Sequence, residues 1–211
     1  MKDTMGESAY QALKEKILTL DGGAYLSARQ FASEIGMSYT PVREAFLRLQ
    51  REGSIKQIPN VGFFVETMDL SDLMQACQVR ECIEPFILNK VFHLITPAHI
   101  AQMRDITFKQ KAALEQGDIV SFVRLDIDMH EVPIRITGNK YFQTFYRQFR
   151  EQNMFCSNRV AVQYTQESID EHLAFIDTLE TKTKAKALDL LMVHLDNVKR
   201  RLKDGYTQFL D

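Results

Sequence analysis

Apolar residues in 7–20, "ESAYQALKEKILTL", recur as Tyr10, Leu13, Ile17 and Leu20, at the spacing of a helix. "DGG" at 21–23 stops it. Ser27 can N-cap the next segment, "ARQFASEI". Gly36 then supplies a sharp turn, because glycine accepts positive φ. In "MSYTPVREAFLRLQREG", Ser38 or Thr40 can cap another helix that Gly53 ends. Pro41 falls in its first turn, where a missing N–H costs nothing. The alternating runs "SIKQI" and "FFVE" flank the turn sequence "PNVG" and predict a β-hairpin. Two short helices across a glycine turn, then a hairpin, predict a winged helix-turn-helix domain over residues 1–67. Ala32 is small where the two helices must cross, and Phe31, Ile35, Val42, Ala45 and Leu49 supply the inward positions. Spacing alone also fits a helical hairpin with no nucleic-acid role.

From about residue 69 the period is helical throughout. Asp69 or Ser71 opens the first helix of this region, and Thr96–Pro97 opens the second as N-cap and first-turn proline. Gly117–Asp118 closes that one and caps a third, which runs toward "TGN" at 137–139. A fourth covers about 140–159, Ser168 and Glu171 form a capping box for the fifth, and the last runs from about 183 to 210. The fold class is therefore mainly α: a winged helix-turn-helix followed by a six-helix antiparallel bundle over residues 68–211.

Three histidines and one acid interrupt the apolar faces of this bundle. Val123, Ile127, His130 and Ile134 share one face, and Asp126 lies one turn before His130 on the same side. Asp128 and Glu131 point elsewhere. Ile169, His172, Leu173 and Ile176 turn His172 inward, and Leu191, His194, Leu195 and Val198 do the same for His194. A lone inward histidine is usually a hydrogen-bonded core residue. Three of them with a carboxylate, itself costly to bury unpaired, point to a metal site. That donor set suits Zn²⁺, Ni²⁺ or another divalent transition ion. His93 and His99 fall between helices and are expected at the surface.

Composition narrows the function classes. The 211 residues are 45% hydrophobic and 26% charged, with a net charge of −2, so there is material for a core and no bulk basicity. No stretch reaches the ~18 apolar residues of a membrane span, and the N-terminus lacks the apolar run of a signal peptide. Cys77, Cys82 and Cys156 form no CxxC pair, which fits reduced thiols in a cytoplasmic protein. Residues 1–67 hold eight Lys/Arg and eight Asp/Glu, but residues 29–56 hold five basic to three acidic. Arg43 falls early in the second helix of the pair, where side chains reach bases or phosphates. Arg48, Arg51 and Lys56 either serve phosphates or form a solvated face.

The stretches "YQALKEKIL", "ARQFASEIGMSYTPVREAFLRLQREG" and "IPNVGFFVE" resemble the DNA-binding domain of GntR-family bacterial transcription regulators. The resemblance implies that Arg29, Ser38, Thr40 and Arg43 contact operator DNA and that Gly62 lets the wing approach it. The family usually has arginine where this chain has Tyr39, which can reach a phosphate or sugar but cannot make the bidentate guanine contact. "VRECIEPF", "LDIDMHEVPIRITGN" and "EHLAFIDTLETKTKAKALDLLMVHL" resemble the FCD-type effector domain of the FadR-like branch, and the short chain suggests its vanillate-regulator-like subgroup. Metal-binding members use an Asp and a His four apart and two His separated by 22 residues, which Asp126, His130, His172 and His194 reproduce. The resemblance further implies a homodimer and a small organic acid completing the metal shell. Arg80 would pair with that acid's carboxylate, unless it is a structural partner of Glu84; Arg159 is a weaker pocket candidate. Pro133, three residues after His130, is expected to kink the helix, which either displaces that ligand or makes the bend part of the pocket wall. Three alternatives stay open: a regulator that senses the metal itself, a metal-dependent hydrolase, for which no base stands beside the site, and a metal-free bundle in which the histidines are merely structural. The resemblance favours a regulator without enzymatic activity.

Overall fold

The computed structural model describes residues 5–20, 23–66, 68–157 and 165–210, with nothing stated for the side chains of 154–157 and 207–210. Arg159 lies outside the described residues. Among them are nine α-helices and one three-stranded sheet, the mainly α class that the apolar periods imply. None of the helices is long and apolar enough to cross a membrane.

The chain divides into two compact units. The first begins with α1 (Met5–Thr19), whose Tyr10, Leu13 and Ile17 are buried on the face that the period predicted. Strand β1 (Tyr25–Leu26) follows, then α2 (Ala28–Glu34) and α3 (Tyr39–Arg51). Ser27 caps α2 by accepting from the Gln30 N–H, and Gly36 makes the turn with φ +66°. Ser38 is the N-cap of α3 by position, but its side chain makes no capping bond. The hairpin is β2 (Ile55–Ile58) and β3 (Gly62–Val65), paired antiparallel. β3 also pairs with β1, so the wing is a three-stranded sheet in the order β1-β3-β2. Phe46 of α3 joins helices to sheet, with its ring 5.9 Å from Phe31 and 4.7 Å from Phe63.

The second unit is all helical. It comprises α4 (Leu70–Val91), a 3-10 turn (Phe92–Leu94), α5 (Pro97–Glu115), α6 (Ile119–Ile136), α7 (Lys140–Ser157), α8 (Gln166–Glu180) and α9 (Lys184–Leu210); residues 152–157 of α7 group with the first unit. Capping is local and specific. Asp69 and Asp72 form a reciprocal box at α4, as do Thr96 and His99 at α5. His93 is exposed as expected, whereas His99 is partly covered and serves as this cap. The expected Ser168–Glu171 box is not formed. α8 starts two residues before Ser168 with Thr165 as N-cap, and Glu171 faces inward to partners on α9. The S-x-x-E spacing marks either a cap or two residues on one helix face, and here the second holds.

Within this unit α4 packs on α6 and α9, α5 on α6 and α8, and α8 on α9. The main core gathers Leu88, Met103, Met129, Phe175, Leu191 and Leu195. A second apolar cluster of Ala113, Phe122 and Ile169 lies further along the same helices. Between these two on α5, α6 and α8 stand Gln110, Asp126 and His172, with His130 beside them at the edge of the main core. The apolar layers thus enclose a polar one. Such a layer persists only if its groups are bonded or coordinated, since burying an unpaired polar group costs about 1–3 kcal/mol.

Candidate metal centre and nucleic-acid interface

Asp126, His130, His172 and His194 converge, each offering a ligand atom within 4.8 Å of the others. Asp126 and His130 sit one turn apart on α6, His172 comes from α8 and His194 from α9. The three histidines are buried. His130 Nε2 lies 3.3 Å from His172 Nε2, and Asp126 Oδ1 lies 3.5 Å from His172 Nε2 and 3.9 Å from His130 Nε2. Pro133 is buried inside α6, which continues through it to Ile136, and His130 stays in the cluster. Of the two outcomes open for Pro133, displacement of His130 does not occur, and Pro133 lines the small cavity beside that residue.

What surrounds the cluster decides its chemistry. Each imidazole turns its Nδ1 to an oxygen on a different helix: His130 to Glu84 Oε2 at 3.0 Å, His172 to Gln110 Oε1 at 3.0 Å, and His194 to Glu171 Oε2 at 2.7 Å. With the protons on Nδ1, all three Nε2 atoms present lone pairs to a common centre. His194 Nε2 is buried and has no hydrogen-bond partner. An orphaned acceptor, two imidazole nitrogens in contact and a carboxylate oxygen beside them are what a cation would satisfy. This cluster could hold a metal ion, and the oxygens on the outer nitrogens are those that orient metal-bound histidines.

The electrostatics agree. Burial lowers His172 well below its ordinary range, reinforced by His194 beside it. Burial likewise lowers His194, to about 4, although its bond to Glu171 opposes the shift. Both imidazoles are therefore neutral at pH 7. Burial alone would raise Asp126, but His130 and the Arg150 guanidinium hold it well below the usual carboxylate range. Arg150 Nη2 donates to Asp126 Oδ2 at 2.6 Å and leaves Oδ1 toward the histidines. Arg80, Arg150 and Arg201 face Glu84, Asp126 and Glu171, three charges against three. A divalent ion would leave this buried group with surplus positive charge.

Arg80 forms the structural pair with Glu84, Nε to Oε1 at 2.6 Å, and its Nη2 is buried without a hydrogen-bond partner. It thus has one edge engaged and one donor unused. A small cavity reaches His130 from the other side, walled by Leu88, Met103, Phe175 and Leu191, with room for about one water molecule. Asp128 takes no part in the cluster and bonds Arg147 instead. Sequence reasoning missed Gln110, Tyr146 and Arg150, whose inward roles are set by contacts across helices.

In the first unit Arg29, Ser38, Tyr39, Thr40 and Arg43 are exposed and lie at the starts of α2 and α3. The Arg29 guanidinium lies 5.7 Å from the Tyr39 ring centroid. Arg43 has no ion-pair partner among the described residues. Arg48, in contrast, lies 3.6 Å above the Tyr10 ring and bonds Glu7 and Glu52. It ties α3 to α1. Lys56 pairs with Glu66 across the hairpin. Gly62 has φ +139°, and a Cβ there would stand 2.6 Å from the Leu26 carbonyl oxygen. Glycine is therefore required for β3 to pair with β1.

Comparison with known proteins follows this division. Residues 5–65 match the bacterial regulatory proteins of the gntR family, and residues 75–197 match the FCD domain. An HTH-type transcriptional regulator of Streptomyces ambofaciens is 32% identical over 132 residues, 62% of this chain; the match spans 55% of that relative's length. The gluconate operon transcriptional repressor of Bacillus subtilis is 23% identical over 96% of this chain and 87% of its own. The solved structure of E. coli McbR/YncC shares the fold, with a TM-score of 0.81 at 20% identity over 98% of this chain and 99% of that one. These relatives are transcription regulators, not enzymes. The chain belongs to the GntR family of bacterial regulatory proteins, in the branch whose helical domain is of the FCD type.

Proposed function

We propose that this protein is a metabolite-responsive transcription regulator that acts in the cytoplasm as a homodimer. The first unit binds operator DNA through Arg29, Ser38, Tyr39, Thr40 and Arg43, with the wing beside it. The second unit holds a divalent transition ion, Zn²⁺ or Ni²⁺, on Asp126, His130, His172 and His194. A small organic acid completes the ion's shell and pairs with Arg80. Bound acid then favours one arrangement of the DNA-reading units, to the extent that it binds that arrangement more tightly. One observation carries the reading: three Nδ1 atoms engaged by oxygens leave three Nε2 atoms and one carboxylate oxygen facing a single point. The surplus positive charge that a divalent ion brings to this neutral surrounding supports an anionic effector. The relative named for the gluconate operon is itself tied to a small carboxylate.

The test is elemental analysis of protein purified without chelator. About one transition ion per chain is expected, and the double variant His172→Ala with His194→Ala should lose it. Full metal content in that variant would refute the site. A second reading, in which the ion itself is the signal, draws on the small cavity beside His130. DNA affinity that responds to metal with no organic acid present would favour it.

A further inference from the structure

Three helices each contribute an i,i+4 pair to one buried network. α4 provides Arg80 and Glu84, α6 Asp126 and His130, α7 Tyr146 and Arg150. Glu84 is the joint between them. Its Oε1 accepts from Arg80 Nε at 2.6 Å, from the Tyr146 hydroxyl at 2.9 Å and from Arg150 Nη1 at 3.4 Å. Its Oε2 lies 3.0 Å from His130 Nδ1, a charge contact outside hydrogen-bond geometry. One carboxylate therefore spans two guanidinium groups on one side and an imidazole of the metal cluster on the other. Burial disfavours its charge, but the Arg80 and His130 contacts keep it ionised, well below the usual carboxylate range. Arg80 still has its buried Nη2 without a partner.

We propose that Glu84 is a positioning residue that couples anion binding at Arg80 to metal affinity at His130. An anion pairing with Arg80 shares the guanidinium charge that Glu84 otherwise holds alone. The Glu84 carboxylate then turns more negative charge toward His130 Nδ1, which puts more electron density on Nε2 and makes it a better ligand. Orienting partners of this kind change metal affinity by roughly 10- to 100-fold. Because binding linkage is reciprocal, the ion must raise anion affinity by the same factor. The inference rests on the metal and anionic-effector readings above.

The test uses Co²⁺ as the metal and acetate as the anion, on the full chain. In the wild type, acetate should tighten Co²⁺ binding and shift the visible absorption of the bound ion. Glu84→Gln should bind Co²⁺ about 10-fold or more weakly and lose most of the tightening by acetate. Tyr146→Phe, which removes the hydroxyl that donates to Glu84 Oε1 and accepts from Arg150 Nη1, should lose a smaller part and serves if Glu84→Gln does not fold. A merely structural role would weaken Co²⁺ binding and leave the acetate effect intact, which would overturn the proposal. Wild type that binds Co²⁺ without any response to acetate would also overturn it. Wild type that binds no Co²⁺ would overturn the metal reading beneath it.

Discussion

Glu171 Oε2 accepts the His194 Nδ1 proton at 2.7 Å while both of its oxygens are also held by Arg201. The arginine fixes the carboxylate, the carboxylate fixes the ring, and the ring is left with one free lone pair on Nε2. Glu171→Gln keeps the size but removes the charge that both partners use. Metal affinity should fall about 10- to 100-fold in competition with a chromophoric chelator. Equal affinity would show that His194 needs no orienting partner.

Gly62→Ala adds a methyl group where the Leu26 carbonyl oxygen stands 2.6 Å away, at a φ that L-residues avoid. Neither obstacle can yield without parting β1 from β3. The variant should lose about 2 kcal/mol of stability. Chemical denaturation read by the fluorescence of a probe in the first unit would measure it. An unchanged midpoint would contradict the close approach.

Arg43 and Arg48 lie five residues apart on one helix and should fail differently. Arg43→Ala should weaken operator binding about 10- to 100-fold and leave the thermal midpoint within error. Arg48→Ala removes a ring contact with Tyr10 and an ion pair with Glu7 that join α3 to α1, together with a local pair to Glu52, and should cost about 1 kcal/mol of stability. Fluorescence anisotropy with operator DNA and a melting curve separate the two. A loss of binding in Arg48→Ala at unchanged stability would reverse the assignment.

His194 is held to about 4 against an ordinary 6.5, first by burial. Above pH 6.5 neither the folded nor the unfolded chain carries this proton, and the contribution to stability is whole. Between 6.5 and 4 only the unfolded chain binds it, so stability falls as the pH falls. The loss is on the order of 3 kcal/mol for this group. His172, lowered for the same cause, acts in the same direction. Metal-free protein denatured at pH 7.5, 6 and 5 should show the decline, and added Zn²⁺ should move its onset to lower pH. Equal stability at all three would show that the histidines are solvated.

The four converging side chains were legible in the sequence because each lies on a helix face marked by apolar neighbours. Ile127 and Ile134 bracket His130 in the same way that Leu191 and Leu195 bracket His194. What oriented them was not legible. Gln110, Tyr146 and Arg150 look like surface residues until helices distant in sequence are packed together. Glu171 has the spacing of a cap, and only the position of α9 gives it another partner. β1 is two residues long, too short for any alternation to announce it. Pro133 carried a warning that α6 absorbed. Loss of one hydrogen bond in a helix packed on several sides did not move its neighbour.

The Nε2 atoms of His130 and His172 stand 3.3 Å apart, and that of His194 beside them has no hydrogen-bond partner. On the proposed metal reading, they make the interior of the bundle answer to supply from outside. A cell starved of the ion would then carry a regulator deaf to its metabolite, however abundant that metabolite became. Nutrient signalling and metal homeostasis would meet in the same few cubic ångströms.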